Sequence, residues 1–488
     1  MHMGVRQHNL FIEFDTKSKV PLYTQVYEQV RDHILARTIK EGEKLPSIRD
    51  FASSLEVSHA TIERAYLQLA VEGFVNNVPR SGYVVNHIDT EYFDRDEIDL
   101  HASLEQMRQE VPTDPFIEEV LAGKELKYDF AFTALQPGSF PRKEWLKVLS
   151  DTLKAFPDAD LVNYSTHFEP DKLQRELARH LHQARGVMCD PMQIMLQSGT
   201  EQALSSLVQL LGSDIGKIGH EEPGFEVMTA VAKRFGIPLV SLSIDMPEGR
   251  SWGDVLAEEK PKLIFTTPSH QFPTGRIMSL EDRIELLQWA AENDAYIIED
   301  DSCNEYRYNT RAVPSLHSLD KNQRVIYLCN FSKALSPGMR IAYLVLPPEL
   351  LGRWHQTFTF SWDSVPYVTR EALGTFIECG FWASHLRRMV SGNKPRHDAL
   401  VEAFEREFGD AVTLSGVDSG MHLFVTVHNG MTQAELIDSA RREGANVYGT
   451  KRYWFNNLAP ENQVMVGFSA IALDDIPEGV KALKRAWL

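Results

Sequence analysis

Apolar positions follow two regimes along the chain. From Pro21, a residue suited to a helix start, Leu22, Val26, Val30 and Ile34 recur every fourth position and predict a first amphipathic helix. In KLPSIRDFASSL, Ser47 and Asp50 form a capping-box-like pair ahead of a second helix with Ile48, Phe51, Ala52 and Leu55 inside. Ser58 caps a third helix whose inner face is Ile62, Ala65, Tyr66 and Leu69 and which Gly73 closes. FVNNVPRSGYVV reads as a β-hairpin with Arg80, Ser81 and Gly82 near its turn. Two short tandem helices followed by a hairpin predict a winged helix-turn-helix over residues 10–86. Residues 87–126 lose clear periodicity and turn acidic, which predicts a linker with some helical propensity. From 127 to 488, short buried strands (QIMLQS, LIFTTP, YIIED, RVIYLCNFS) alternate with helices. That alternation predicts an α/β fold with a mostly parallel sheet, its site carried by loops at the strand carboxyl ends.

Composition bounds this picture. A chain of 488 residues is too long for one ordinary core, and 43% hydrophobic with 24% charged residues is ordinary globular protein. The net charge of −18 argues against general nucleic-acid binding, yet residues 1–89 hold ten Lys/Arg and eleven Asp/Glu, so the acidity belongs to the C-terminal part. No run suits a membrane span and MHMGVRQHNL lacks a signal-peptide core, so a cytoplasmic location is expected. Cys189, Cys303, Cys329 and Cys379 have neither zinc-like nor redox-pair spacing, and no metal motif appears.

The outer face of the third helix carries Ser58, His59, Thr61, Arg64 and Gln68. One reading sets the start of this helix in the major groove of duplex DNA, with Arg49, Thr61 and Arg64 on phosphates or bases and the wing, Arg80 to Gly82, on the adjacent backbone. The other is a three-helix protein-interaction module; hydroxyls and arginine favour DNA.

In the large part, Lys333 stands in a turn after a buried strand, Asp300 ends another, Arg340 follows the lysine, and Gly199-Thr200 opens a helix. A lysine amine condenses with an aldehyde, a carboxylate keeps a pyridine nitrogen protonated, and an arginine with helix-start amides holds a phosphate. Pyridoxal 5'-phosphate requires all of these. Each residue alone is more readily a surface charge; the combination singles them out.

These residues also carry a family resemblance. PLYTQVYEQVRDHIL, LPSIRDFA, VSHATIERAYLQLAVEGFV and RSGYVV resemble the winged helix of GntR-type bacterial regulators, departing at His59, where an arginine commonly follows the serine. QSGTEQAL, EEPGFEVM, TPSHQFPTG, IIEDDSCNEYRY, FSKALSPGMRIAYLVLP and HLRRM resemble, in order, the blocks of a fold-type I aminotransferase, and the whole chain resembles the MocR/GabR regulators. The resemblance implies Lys333 as Schiff-base lysine and Asp300 as pyridinium partner. It makes Arg340, Ser332, Ser198, Gly199 and Thr200 the phosphate cup and Phe225 the stacking ring, with Tyr164 reaching the other subunit's phosphate. Ser302 replaces a tyrosine, and Phe272 an asparagine, that would bond the cofactor's phenolic oxygen, which leaves that role to His270 or water. Met465 stands near the usual substrate-carboxylate arginine and Val227 where one relative has another; Arg452 is either the carboxylate clamp or a surface residue.

The resemblance therefore implies a homodimeric, head-to-tail transcription regulator that binds operator DNA and senses an amine, an amino acid or the cofactor itself by transimination. Its competitors are an aminotransferase with an appended DNA-binding domain and a repressor whose large domain only dimerises.

Overall fold

The computed structural model describes residues 4–7, 10–15, 17–89, 107, 115–162, 169–308, 313–359, 364–456 and 459–488. The chain divides into two compact units between Pro112 and Thr113.

In the first unit an antiparallel pair, β1 (Gly4–Gln7) and β2 (Leu10–Glu13), precedes the helices; periodicity did not announce it. Leu10, Ile12 and Phe14 join the core formed by α1 (Leu22–Leu35), α2 (Ile48–Ser54) and α3 (His59–Val71). The expected inner faces are buried, except that Leu22, at the first turn of α1, lies exposed and Ile48, at the first turn of α2, is half-buried. The Tyr66 hydroxyl donates to the Pro46 carbonyl at 3.0 Å, fixing α3 against the entry to α2. β3 (Val75–Val78) and β4 (Gly82–Val85) form the wing; Arg80 and Gly82 both take positive φ, 65° and 87°, at its turn.

The second unit begins earlier than the predicted linker would allow. α4 (Pro115–Lys124) lies within this unit, with Glu119 accepting from Gly449 N and its carbonyl from Asn446 Nδ2, so residues 115–124 are no part of a linker. Its tertiary partners at the far end of the chain, not its own periodicity, make it a structural element. β5 (Tyr128–Asp129) follows, and then the central sheet, in the order β6, β12, β11, β10, β9, β7, β8. These strands are β6 (Ile194–Gln197), β7 (Ile218–Glu222), β8 (Leu239–Ser243), β9 (Leu263–Thr266), β10 (Tyr296–Asp300), β11 (Val325–Asn330) and β12 (Ala342–Val345). β7 to β11 pair in parallel; β12 runs antiparallel to both β11 and β6. β6, β7, β9 and β12 are buried throughout, as befits a sheet covered on both faces. Helices α5 (Thr200–Leu211) and α6 (Glu226–Phe235) cover one face, through Ala203, Leu204, Leu207, Met228 and Val231, where each buried Leu, Met or Val side chain contributes about 1.5–3 kcal/mol. A smaller antiparallel sheet places β13 (Val412–Ser415), β14 (His422–Val427), β17 (Gln463–Gly467) and β16 (Tyr448–Gly449) side by side, while β15 (Ala445–Asn446) pairs with β5.

Candidate functional site

The carboxyl ends of β6, β7, β9, β10 and β11 share one edge of the central sheet. Because β12 is antiparallel, its entry also lies at that edge: Ala342 pairs with Asn330 on one side and with Gln197 on the other. Strand order therefore gathers Ser198, Phe225, His270, Asp300, Lys333 and Arg340, residues far apart in sequence.

At Gly199, φ is +107° and the next residue begins α5. A Cβ added there would stand 2.9 Å from the Arg340 Cζ and nearer still to Nη2, so the guanidinium lies across the glycine at the helix start. Arginine and the unpaired amides of a first helical turn make an anion cradle that a side chain would fill. Arg340 itself takes φ +50° to reach it.

Asn330, which sequence reading passed over, ties this cradle to its neighbours. Its Nδ2 donates to Thr200 Oγ1 at 3.1 Å and to Ser302 Oγ at 2.7 Å, while its Oδ1 accepts from Ser332 N at 2.9 Å. Its position at the end of a buried strand, three residues before the lysine, was the available signal. Ser302 N donates to Asp300 Oδ1 at 2.9 Å. Burial pushes the Asp300 carboxyl up to about 6 against the pull of Ser302.

The half-buried Lys333 donates from Nζ to the Phe132 carbonyl at 3.1 Å and lies 5.7 Å from the centre of that ring. Desolvation holds its amine below the ordinary lysine range, which favours the neutral nucleophile. Tyr306 Oη donates to the Lys333 carbonyl at 2.8 Å and fixes the turn. Phe132 is a second residue that sequence reading missed: it lies in YDFAFTALQPG, far from every block considered.

Aromatic rings wall the site. Phe272 meets Phe225, His422 and Tyr453 edge-on at 5.7, 5.6 and 5.1 Å. His270 shares a 2.7 Å hydrogen bond between Nδ1 and Ser419 Oγ, its Nε2 has no hydrogen-bond partner, and burial beside His422 drives its basicity down to about 3. Val227 is half-buried, and Met465 is buried in β17, where its sulfur accepts from Tyr453 Oη at 3.9 Å. Tyr164 lies outside the described residues. Arg452 is held by α4: its Cζ sits 3.9 Å from the Phe116 ring centre and its Nη2 3.6 Å from Glu119 Oε2.

In the first unit Arg49, Ser58, His59, Arg64, Arg80 and Gly82 are exposed and Thr61 is half-buried. Ser58 Oγ accepts from Thr61 N at 3.2 Å and bonds Thr61 Oγ1 at 2.8 Å, so both hydroxyls serve the cap of α3. Arg64 Cζ lies 4.1 Å from the centre of the Tyr23 ring.

Residues 22–85 match the bacterial regulatory proteins of the gntR family, and residues 136–461 match the class I and II aminotransferases. The HTH-type transcriptional regulator YdeL of Bacillus subtilis is 33% identical over 96% of this chain and 97% of its own. The probable rhizopine catabolism regulatory protein MocR of Rhizobium meliloti is 31% identical over 97% of this chain and 95% of its own. The chain belongs to the MocR-type, GntR-family transcriptional regulators. An archaeal alanine:glyoxylate aminotransferase superposes on 80% of the chain, covering 99% of its own, with a TM-score of 0.68 at 23% identity, which shows the fold of the large unit. This MocR-type chain thus joins a GntR winged helix to a fold-type I aminotransferase domain, a pyridoxal phosphate-dependent fold family. The residues present fit that group: an anion cradle at Gly199 and Arg340, a buried carboxyl at Asp300 and a desolvated amine at Lys333. Among the described residues no cluster suits a metal ion, the four cysteines are free, and no helix is long and apolar enough to cross a membrane.

Proposed function

We propose that this regulator binds operator DNA through its winged helix and reads an amine or amino acid through pyridoxal 5'-phosphate held in the large unit. The convergence of Lys333, Asp300 and the Gly199–Arg340 cradle at one sheet edge carries this reading. Ser198, Gly199, Thr200, Ser332 and Arg340 would hold the phosphate, Asp300 the ring nitrogen, and Phe225 a ring face. The cofactor supplies an aldehyde that exchanges one primary amine for another. The chain's own part is to keep Lys333 desolvated, orient it through Tyr306 and Phe132, and set Asp300 in a dry pocket where its charge is available to a cationic ring. Lys333, once displaced, would stand as a free amine in that pocket, and an effector shifts the regulator only as far as it binds one state better than the other. DNA contacts are assigned to Arg49, His59, Arg64 and Arg80 as exposed groups, with Ser58 and Thr61 shaping the helix start. A head-to-tail homodimer and a cytoplasmic location complete the proposal.

The aminotransferase fold favours one competing reading, catalytic turnover with DNA binding appended. Against efficient turnover stand Phe272 and Ser302, since the first has no polar group and the second is engaged by Asn330. Cofactor-loaded protein mixed with amino donors and α-keto acids decides: a single burst of keto product supports sensing, and sustained turnover overturns it. Visible absorbance that borohydride bleaches is expected in the wild type and absent in Lys333→Ala, which is also expected to lose the response of operator binding to amines.

A further inference from the structure

The loop that follows β9 serves two places. His270 and Phe272 wall the candidate site, while Pro268, Gln271 and Met278 line a separate cleft of about 690 Å³. A volume of this size suits a small organic molecule. The other walls of the cleft are α7 (Trp252–Glu259) and α8 (Leu280–Glu292). Trp252, Trp289, Met246 and Met278 give it an apolar lining and are only partly buried against the core beneath them. The Trp252 indole N–H donates to the Ser243 carbonyl at 2.8 Å, which fixes that ring.

Charge on the lining is one-sided. Its two arginines are paired, Arg250 with Glu258 at 2.7 Å and Arg276 with Asp245 at 2.6 Å. Glu285 and Glu292, exposed on α8, make no hydrogen bond or ion pair among the described residues. A Cβ added at Gly253 would lie 3.4 Å from the Glu285 Cδ, so the glycine leaves room for this carboxylate beside α7. Indole and thioether surface next to uncompensated carboxylates is the chemistry that holds an organic cation. The buried Glu221 closes the inner end of the cleft, where it accepts from Thr267 Oγ1 at 2.6 Å and from Gln271 Nε2 at 3.4 Å. The same two residues hold both backbone groups of Phe272: Thr267 Oγ1 accepts from its N–H at 2.9 Å, and Gln271 Nε2 donates to its carbonyl at 2.7 Å.

We propose that this cleft is a second ligand site, for an organic cation with an apolar body, and that Thr267 and Gln271 carry its occupancy to Phe272. The apolar body packs on the tryptophans and the charge lies toward Glu285. Occupancy moves Phe272 only as far as the ligand prefers one arrangement of the loop over another. This goes beyond amine exchange at Lys333 and does not depend on it.

The test uses cofactor-free, full-length protein and benzyltrimethylammonium, a quaternary ion that cannot condense with an aldehyde. Calorimetric titration is expected to show one saturable site per chain. Glu285→Gln and Trp289→Leu are each expected to weaken it about two- to fivefold, and benzyl alcohol, which lacks the charge, is expected not to compete. Because Glu285 is exposed, its variant keeps the test readable if Trp289→Leu lowers stability. Amide exchange over residues 268–275 is expected to slow several-fold at saturating probe. Absence of saturable binding, equal affinity in wild type and Glu285→Gln, or full competition by benzyl alcohol overturns the site; unchanged exchange overturns the link to Phe272. Failure of amine exchange at Lys333 would count against the proposed function and leave these outcomes standing.

Discussion

Three consecutive carboxyls, Glu299, Asp300 and Asp301, receive three different tasks. Side chains alternate along a strand, so Glu299 and Asp301 point away from Asp300. Glu299 accepts from Leu316 N and His317 N at 2.6 and 2.8 Å; Asp301 takes Arg185 Nε at 2.5 Å and the Tyr327 hydroxyl at 2.7 Å. Only Asp300 faces Ser302 and the site. Its raised pKa carries a pH signature. Below 3.8 the carboxyl is protonated folded or unfolded; between 3.8 and about 6 the folded state binds more protons, so stability falls as pH rises, and above that the cost is fully present. Cofactor-free Asp300→Asn is therefore expected to be more stable than wild type at pH 7.5, by up to about 3 kcal/mol, and equal to it near pH 3. Urea titrations at the two pH values measure this. The same variant is expected to hold the cofactor more weakly, since an amide no longer offsets a ring cation.

At the scale of elements, capping and strand-end turns do the positioning. The Ser58 cap was legible because a serine directly before an apolar-periodic run has one common use; that Thr61 shares it was not, because a hydroxyl facing groove or cap looks alike in sequence. Ser58→Ala is expected to cost about 1 kcal/mol of thermal or urea stability. Arg64→Ala and Arg80→Ala are instead expected to leave stability within about 0.5 kcal/mol and to weaken operator binding with a flatter salt dependence, measured across a salt series. Asn330 is an element-level residue too, joining the start of α5 to the turns after β10 and β11. Asn330→Ala is expected to cost about 1–3 kcal/mol and to weaken cofactor binding more than Ser302→Ala, which removes only one of its three partners.

Across the whole large unit, the Arg185–Asp301 pair joins the helix Lys172–Arg185 to the site strand in a buried network with Ser269 and the Val313 carbonyl. Breaking one side strands a buried charge, so Arg185→Ala is expected to lose about 3–5 kcal/mol, measurable by urea denaturation. By itself the sequence determined the winged helix, the alternation of buried strands and helices, and the candidates Lys333, Asp300, Arg340 and Gly199. Those properties are local: periodicity, caps, strand-end polarity and spacing within blocks. Tertiary structure decided that β12 runs antiparallel and so delivers Arg340 to Gly199, that Asn330 and Phe132 stand at the candidate site, and that residues 115–124 of the stretch read as a linker form α4 beside Arg452. Each depends on partners a hundred residues or more away, whose packing and hydrogen bonds appear only once the strands are ordered.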